Sequence, residues 1–170
     1  MKPLSQGWLD SLCGIYSLCN AYKITNRASE NDVQEMFNHI IKYLSSKRML
    51  KGVLLNGVYY KNMLDIMKRL VEYQFFQDFS NPKWTTGYRL KDFWEYSMEH
   101  LREPRSVIIL SIGGASNHYT VVERMTSASM FLVDSSGMKR INRSQCRFYG
   151  YQKEDKYVLY PNECFYMKGR

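Results

Sequence analysis

The sequence predicts an α+β fold, because helical patterns occupy the first part of the chain and strand patterns occupy the rest. Four stretches before residue 104 have apolar residues at helical spacing. After residue 105 the pattern changes to short apolar or alternating runs that are separated by polar turns. Helices followed by an antiparallel sheet are typical of the α+β class. In 170 residues we expect one domain, 1–170, with a mainly helical half at 1–104 and a mainly β half at 105–170.

The helical half is predicted to contain four helices. The apolar spacing places them at about 12–23, after Ser29, after Asn56 and at about 90–102. Asp10 or Ser11 is the predicted N-cap of the first helix. Ser29 is the predicted N-cap of the second helix, because acidic residues fill the turn that follows it. Pro104 ends the fourth helix.

The β half is predicted from apolar and alternating runs bounded by turn residues. The predicted strands cover 106–112, 118–124, 129–134, 138–141, 157–160 and 164–167. A polar loop near 126–128 joins the second strand to the third, and 135–137 forms the turn after the third. The aromatic residues at 75–79 are expected to form a short strand or a packed loop.

The composition is that of an ordinary globular protein, and its charge restricts the expected partners. Apolar residues make up 45% and charged residues 24%, with a net charge of +8 and a pI near 9.3. The cations are scattered, and neither zinc-finger spacing nor an RNP-type signature occurs, so nucleic-acid binding is not expected. A partner with an acidic surface fits the charge better.

The cysteines and the start of the chain indicate a cytoplasmic protein. The four cysteines include no Cys-x-x-Cys pair, and the sequence has neither a signal-peptide pattern nor an apolar stretch of transmembrane length. We therefore expect reduced thiols, no membrane segment and a cytoplasmic location. Export by a system that uses no cleavable signal would leave no trace in this sequence.

Cys13 is a candidate nucleophile, because the first predicted helix begins beside it. Unpaired N–H groups and the positive end of the helix dipole favour thiolate over thiol at such a position. Gly14 would let a substrate backbone approach closely. Gln6, seven positions before Cys13, is a candidate oxyanion donor together with the Cys13 backbone N–H. The alternative for a free cysteine is a buried structural residue, which suits Cys19 within the helix.

His118 is the candidate base among the three histidines. His39 and His100 lie on predicted helices, where we expect structural or surface roles. His118 begins a predicted strand after a loop, and from there its imidazole can reach a helix N-terminus and accept a thiol proton. Asn117, in the same loop, is a candidate substrate-binding residue.

Asp134 is the candidate orienting acid, because it ends the strand predicted to pair with the one that begins at His118. In an antiparallel hairpin the start of the first strand lies beside the end of the second. The sixteen-residue separation therefore predicts that the Asp134 carboxylate lies beside the His118 imidazole. With Cys13, these residues would supply a nucleophile, a base and an orienting acid.

Metal and serine chemistry have less support. No short-spaced pair of His or Cys ligands is available to anchor a zinc ion, so we expect neither a metal nor a cofactor. No serine stands in a G-x-S-x-G elbow.

These residues resemble the papain-like cysteine peptidase superfamily, and they are most similar to small bacterial C39-like domains of the bacteriocin-processing type. The similar segments, under half of the chain, are Gln6…Cys13-Gly14 at the head of a helix and Asn117-His118-Tyr-Thr-Val-Val with Val133-Asp134. The resemblance implies a papain-like fold, in which an N-terminal helical part with the nucleophile at a helix N-terminus packs on a C-terminal antiparallel sheet. The roles it implies are nucleophile for Cys13, oxyanion donor for Gln6, base for His118 and orienting acid for Asp134.

Three functions stay open at this point. The first is a peptidase or isopeptidase that cleaves a protein or peptide substrate through an acyl-enzyme. The second is a glutamine deamidase or transglutaminase, since both begin with the same thioacyl step. The third is a papain-fold interaction module without activity that binds an acidic partner.

Overall fold

The computed structural model describes residues 3–7, 11–85, 87–114, 117–148 and 157–170, and its fold is α+β. Within these ranges the chain forms five α-helices and one eight-stranded sheet. All five helices lie before residue 101, and every strand except the first lies after residue 105. The predicted α+β class is confirmed.

The helices are α1 (Cys13–Thr25), α2 (Glu30–Ser46), α3 (Leu50–Asn56), α4 (Tyr60–Glu72) and α5 (Leu90–His100). Four of them correspond to predicted helices, and α3 does not. Because α3 has seven residues and buries only Val53, its sequence shows no helical period. None of the helices in the described ranges combines the length and apolar character needed to cross a bilayer.

The predicted cap of α2 is confirmed. Ser29 and Asp32 form a capping box, in which the Ser29 hydroxyl accepts from the Asp32 N–H at 3.2 Å. In return, the Asp32 carboxylate accepts from the Ser29 N–H at 2.8 Å. Two backbone donors at the start of α2 are thereby satisfied.

The predicted cap of α1 is wrong for Ser11, and Asp10 lies outside the described residues. The N-cap of α1 is Leu12, which has no side-chain cap. The physical reason is that Ser11 bonds to α3 instead. Its N–H donates to the Leu54 carbonyl at 3.2 Å and its hydroxyl donates to the Leu55 carbonyl at 3.3 Å.

The strands are β1 (Asp78–Ser80), β2 (Ser106–Gly113), β3 (His118–Met125), β4 (Ser129–Val133), β5 (Arg140–Asn142), β6 (Cys146–Phe148), β7 (Tyr157–Leu159) and β8 (Phe165–Lys168). Their main order is β1-β8-β2-β3-β4-β5, and β7 pairs with both β2 and β6. Neighbouring strands are antiparallel, except that β6 and β7 are parallel. The sequence pattern misses β6, which has only three residues.

β2 is long enough to pair with two different strands along one edge. Its first four residues pair with β8, and its last two pair with β7. The chain between β7 and β8 includes a 3₁₀ turn at Pro161–Glu163. This turn lies beside the middle of β2, because the Tyr160 N–H donates to the Ser111 carbonyl at 3.1 Å.

Helices cover both faces of the sheet. Buried residues of α1 to α4 pack on one face, against Val107, Ile109 and Val121. Phe93 and Trp94 of α5 pack on the other face, against Ile108, Leu110 and Val122. All residues of β2 are therefore buried, which explains its continuous apolar sequence.

Candidate active site

Three polar side chains from three elements meet at one end of the sheet. Cys13 is the first residue of α1, His118 is the first residue of β3, and Asp134 directly follows β4. β3 and β4 are antiparallel with Val121 opposite Val133. This register brings the end of β4 to the start of β3, where the predicted contact between His118 and Asp134 forms.

The His118 imidazole and the Asp134 carboxylate form a short, buried hydrogen bond. His118 Nε2 donates to Asp134 Oδ2 at 2.6 Å, and the two side chains are 9% and 0% exposed. Asp134 Oδ1 accepts from the backbone N–H groups of Ser136 at 2.8 Å and Met138 at 3.1 Å. The turn after β4 thus orients the carboxylate. Since Nε2 faces Asp134, Nδ1 is the ring nitrogen left for a thiol.

The Cys13 thiol and the His118 imidazole interact, and each shifts the pKa of the other. Burial acts to raise the pKa of Cys13, but the His118 hydrogen bond, backbone hydrogen bonds from Tyr119 and Gly14, and the His118 charge hold it below its usual value. Cys13 is also the only partly exposed cysteine, and all four are free thiols. Burial raises the pKa to about 12 for the other three, Cys19, Cys146 and Cys164.

The same contacts shift the two partners of Cys13 toward their charged forms. Burial acts to lower the pKa of His118, but hydrogen bonds with Asp134 and Cys13 raise it to about 9. Burial acts to raise the pKa of Asp134, but the hydrogen bond from His118 holds it below its usual value. Each shift thus favours the charged form of its group, which is thiolate for Cys13, imidazolium for His118 and carboxylate for Asp134.

A buried serine ties the helix of Cys13 to the strand of His118. Ser17 lies one turn after Cys13 and is 1% exposed. Its hydroxyl donates to the Tyr119 carbonyl at 2.9 Å. Because Tyr119 is next to His118, this hydrogen bond holds α1 against β3 beside the site.

Gly14 is buried between β3 and the loop that precedes α4. A Cβ atom on Gly14 would lie 3.3 Å from Val58 Cβ and 3.4 Å from Tyr119 Cδ2. Close packing is therefore one reason for a glycine beside Cys13. The approach of a substrate backbone to Gly14 stays a prediction.

Gln6 is partly buried, and Ser135 holds it. The Gln6 N–H donates to the Ser135 carbonyl at 3.2 Å, and the Ser135 hydroxyl donates to Gln6 Oε1 at 3.2 Å. Because Oε1 is engaged, the side-chain NH₂ group is the end of Gln6 left to donate. Ser135 follows Asp134 and is 3% exposed. One turn thus positions both Gln6 and Asp134, and the role of Gln6 as oxyanion donor stays a prediction.

A cleft of about 570 Å³ opens beside Cys13 and His118. Its other walls come from the segment between α3 and α4, from the middle of β2 and from the chain between β7 and β8. The lining residues are Asn56, Gly57, Val58, Tyr59, Tyr60, Lys61, Ser111, Asn117, Tyr119, Tyr160 and Glu163. The candidate substrate-binding residue Asn117 is thus exposed in this cleft.

Comparisons with family models, with curated proteins and with solved structures find no match to this chain. Among the described residues, no three His, Cys, Asp or Glu side chains lie close enough together to hold a metal ion.

Sequence patterns miss the residues that support and surround the site. Ser17 and Ser135 are ordinary serines in the sequence, and only their contacts identify them as positioning residues. Glu163 lies 150 residues after Cys13 and carries no motif. Its place in the cleft follows from the pairing of β7 and β8 with β2.

Proposed function

We propose that the protein is a papain-like cysteine hydrolase that cleaves peptide or isopeptide bonds through an acyl-enzyme. The observation that carries the proposal is that Cys13 and His118 line one open cleft and the His118 imidazole is hydrogen-bonded to the buried Asp134 carboxylate. A buried cysteine with a structural role needs neither a lowered pKa nor a histidine partner. The papain-like fold implied by the sequence resemblance is part of this proposal.

In the acylation step, the Cys13 thiolate attacks the carbonyl carbon of the scissile bond and a C–S bond forms. Negative charge moves to the carbonyl oxygen, where the Cys13 backbone N–H and the Gln6 amide are the proposed donors. The His118 imidazolium gives its proton to the leaving nitrogen, the C–N bond breaks, and a thioester remains. Asp134 keeps the ring oriented and supports its charged form.

In the deacylation step, neutral His118 takes a proton from water, and the oxygen attacks the thioester carbon. The C–S bond breaks, the carboxylic acid product leaves, and the thiolate and imidazolium are restored. No electron transfer and no further reactant is needed, because water is the only co-substrate.

A peptide library tests this proposal. Peptides from a glutamyl-endopeptidase digest of a bacterial lysate retain internal lysines and arginines, and they would be incubated with the protein and analysed by mass spectrometry. We expect new termini with the wild-type protein and none with Cys13→Ala. His118→Ala should lower the rate by about 10³-fold, the scale of a lost general base. His100→Ala is the matched control and should cleave like wild type.

Other outcomes separate the alternatives. A mass gain of about one dalton at glutamine, without new termini, would replace the hydrolase with a deamidase that uses the same thioacyl step. Glutamine–lysine cross-links would indicate a transglutaminase. An unchanged library together with a Cys13 that reacts no faster than the buried cysteines would overturn the proposal.

A further inference from the structure

The cleft beside Cys13 contains one carboxylate whose position is set by the fold. Glu163 ends the 3₁₀ turn between β7 and β8 and lines the same cleft as Cys13 and His118. The buried Ser111 hydroxyl donates to Glu163 Oε2 at 3.1 Å. Within the described part of the chain, Oε1 has no hydrogen-bond partner, so one oxygen remains to accept from a ligand.

The turn that carries Glu163 is held from behind by a polar network. The Asn81 side-chain NH₂ donates to the carbonyls of Asn162 at 3.0 Å and Cys164 at 2.7 Å. The Trp84 N–H donates to the Asn162 side chain at 2.6 Å, and Asn162 donates to the Trp84 carbonyl at 3.2 Å. These bonds hold the turn in addition to the bond between Ser111 and Glu163 Oε2, and none of them uses Glu163 Oε1.

One of the three tyrosines that line the cleft, Tyr60, is held by hydrogen bonds. The Tyr60 hydroxyl donates to Asn81 Oδ1 at 2.6 Å, and the Lys83 ammonium donates to both oxygens at 2.8 Å. Tyr60, Tyr59 and Tyr160 all line the cleft. Tyrosine rings suit the alkyl stem of a lysine or arginine and attract its charged end. A site ordered before binding loses little conformational entropy when a ligand enters.

Neither of the two lysines near the cleft forms an ion pair with Glu163 in the part of the chain that the structure describes. Lys61 is exposed at the rim, and no ion pair within 4.0 Å joins it to Glu163 in the described residues. Lys83 is engaged with Tyr60 and Asn81. Inside a chain with a net charge of +8, Glu163 is thus an available negative group in the cleft.

We propose that this cleft selects a peptide segment with a positively charged side chain, which Glu163 binds through its free oxygen. This rests on the proposed function, since it names the substrate class of the same site. A lysine or arginine would place its ammonium or guanidinium on Glu163 and its stem along Tyr59 and Tyr160, while the neighbouring carbonyl faces Cys13.

Peptidyl acyloxymethyl ketones, which alkylate a reactive active-site thiol, test this specificity. Each probe carries lysine, acetyl-lysine or norleucine at the first or the second residue before the ketone. Intact-protein mass spectrometry follows alkylation of Cys13 over time. We expect the lysine probe to react roughly 5- to 20-fold faster than the acetyl-lysine probe at one of the two positions, the scale of a charge-assisted hydrogen bond.

Variants identify the residue that recognises the charge. Glu163→Gln keeps an acceptor for the Ser111 hydroxyl but removes the charge, and it should abolish the preference for lysine. Lys61→Met, at the rim of the same cleft, is the matched control and should keep or increase the preference. If Glu163→Gln does not fold, Ser111→Ala is the second variant. It keeps the Glu163 charge but removes the hydrogen bond that orients the carboxylate, so it should reduce the preference for the lysine probe.

Iodoacetamide separates this inference from the proposed function, because it reacts with Cys13 without occupying the cleft. Rapid iodoacetamide labelling of Cys13 with no preference among the ketones, or with no ketone reaction, would overturn the role of Glu163 alone. A preference that persists in Glu163→Gln would do the same. If iodoacetamide labels Cys13 no faster than the buried cysteines, the proposed function fails, and this inference fails with it.

Discussion

At the scale of single residues, Cys13 differs from the other cysteines in what surrounds its sulfur. The His118 imidazole and the backbone of Tyr119 and Gly14 hold the pKa of Cys13 below its usual value, whereas burial raises the pKa of Cys19 and Cys146 to about 12. Thiol alkylation requires the thiolate, so the surroundings decide the rate. The lowered pKa of Cys13 is therefore directly measurable.

We predict that iodoacetamide at near-neutral pH labels Cys13 at least about 100-fold faster than any other cysteine in the folded protein. The physical reason is that His118 stabilises the Cys13 thiolate, while the other thiols stay protonated. Peptide mapping after partial labelling identifies the modified residue. Faster labelling of Cys19, Cys146 or Cys164 would contradict the assignment of the nucleophile.

Gln6 and Asp134 are predicted to affect different steps. Gln6→Ala should lower kcat by roughly 10²-fold, the scale of a lost oxyanion donor, and leave iodoacetamide labelling of Cys13 unchanged. Asp134→Asn should slow both turnover and labelling, because the charged form of His118 loses its partner. Thermal melts come first, since a changed buried residue can loosen the end of β4. Wild-type labelling in a stable Asp134→Asn protein would rule out Asp134 as the orienting acid.

At the scale of secondary structure, the site depends on how α1 is attached to β3. Ser17 bonds to the Tyr119 carbonyl, and Gly14 packs against the Tyr119 ring. Both contacts involve Tyr119, the residue that follows His118 in β3. The spacing of thiol and imidazole is therefore a property of the α1–β3 interface.

We predict that Ser17→Ala slows iodoacetamide labelling of Cys13 by roughly 3- to 10-fold, because α1 can shift relative to His118. It should also lower the free energy of unfolding by about 1–3 kcal/mol, since the Tyr119 carbonyl loses a buried donor. Thr25→Val is the matched control on α1. It removes a buried hydroxyl that bonds to Ala21 within the helix, so it should change stability and leave labelling unaffected.

Measurement of both the labelling rate of Cys13 and the free energy of unfolding distinguishes a shift of α1 relative to His118 from a general loss of stability. If Thr25→Val slows labelling as much as Ser17→Ala does, the effect reflects general loosening of α1. If Ser17→Ala changes neither quantity, the hydrogen bond does not set the geometry of the site.

At the scale of the whole molecule, the site links folding stability to pH through two opposing groups. The pKa of His118 is raised to about 9, so its contribution to stability is complete below its unfolded pKa of about 6.5 and is lost as pH rises through about 9. The pKa of Cys13 is lowered, so its contribution is present above the unfolded pKa and is lost as pH falls. As pH rises, the two contributions to stability therefore change in opposite directions and partly offset each other.

We predict that, between the unfolded pKa of His118, about 6.5, and its folded pKa of about 9, the Tm of the wild-type protein falls less with rising pH than the Tm of Cys13→Ala. In Cys13→Ala only the raised pKa of His118 remains, because Asp134 still binds the imidazolium. Its Tm should therefore fall with rising pH relative to that of wild type. Melting curves across this range test the difference, with Cys19→Ala as the control, and parallel curves for Cys13→Ala and wild type would contradict it.

The sequence by itself determined the α+β class and placed the candidate nucleophile, base and orienting acid each at an end of a helix or strand. Cys13 lies at the start of α1, His118 at the start of β3 and Asp134 directly after β4. Helical spacing located α1, α2, α4 and α5, and the apolar run of β2 and the hairpin from β3 to β4 were visible as local patterns. Because a hairpin joins neighbours in the chain, its register also predicted the contact between His118 and Asp134. Their catalytic roles stay predictions.

Only the tertiary structure decided which distant groups support and line the site. Ser17 meets Tyr119 across 102 residues, and Ser135 meets Gln6 across 129 residues. Glu163 enters the cleft because β7 and β8 share one edge of β2. Short elements such as α3 and β6 have too few residues to show a period. The physical reason is that periodicity and capping report local backbone preferences, whereas these contacts depend on how whole elements pack.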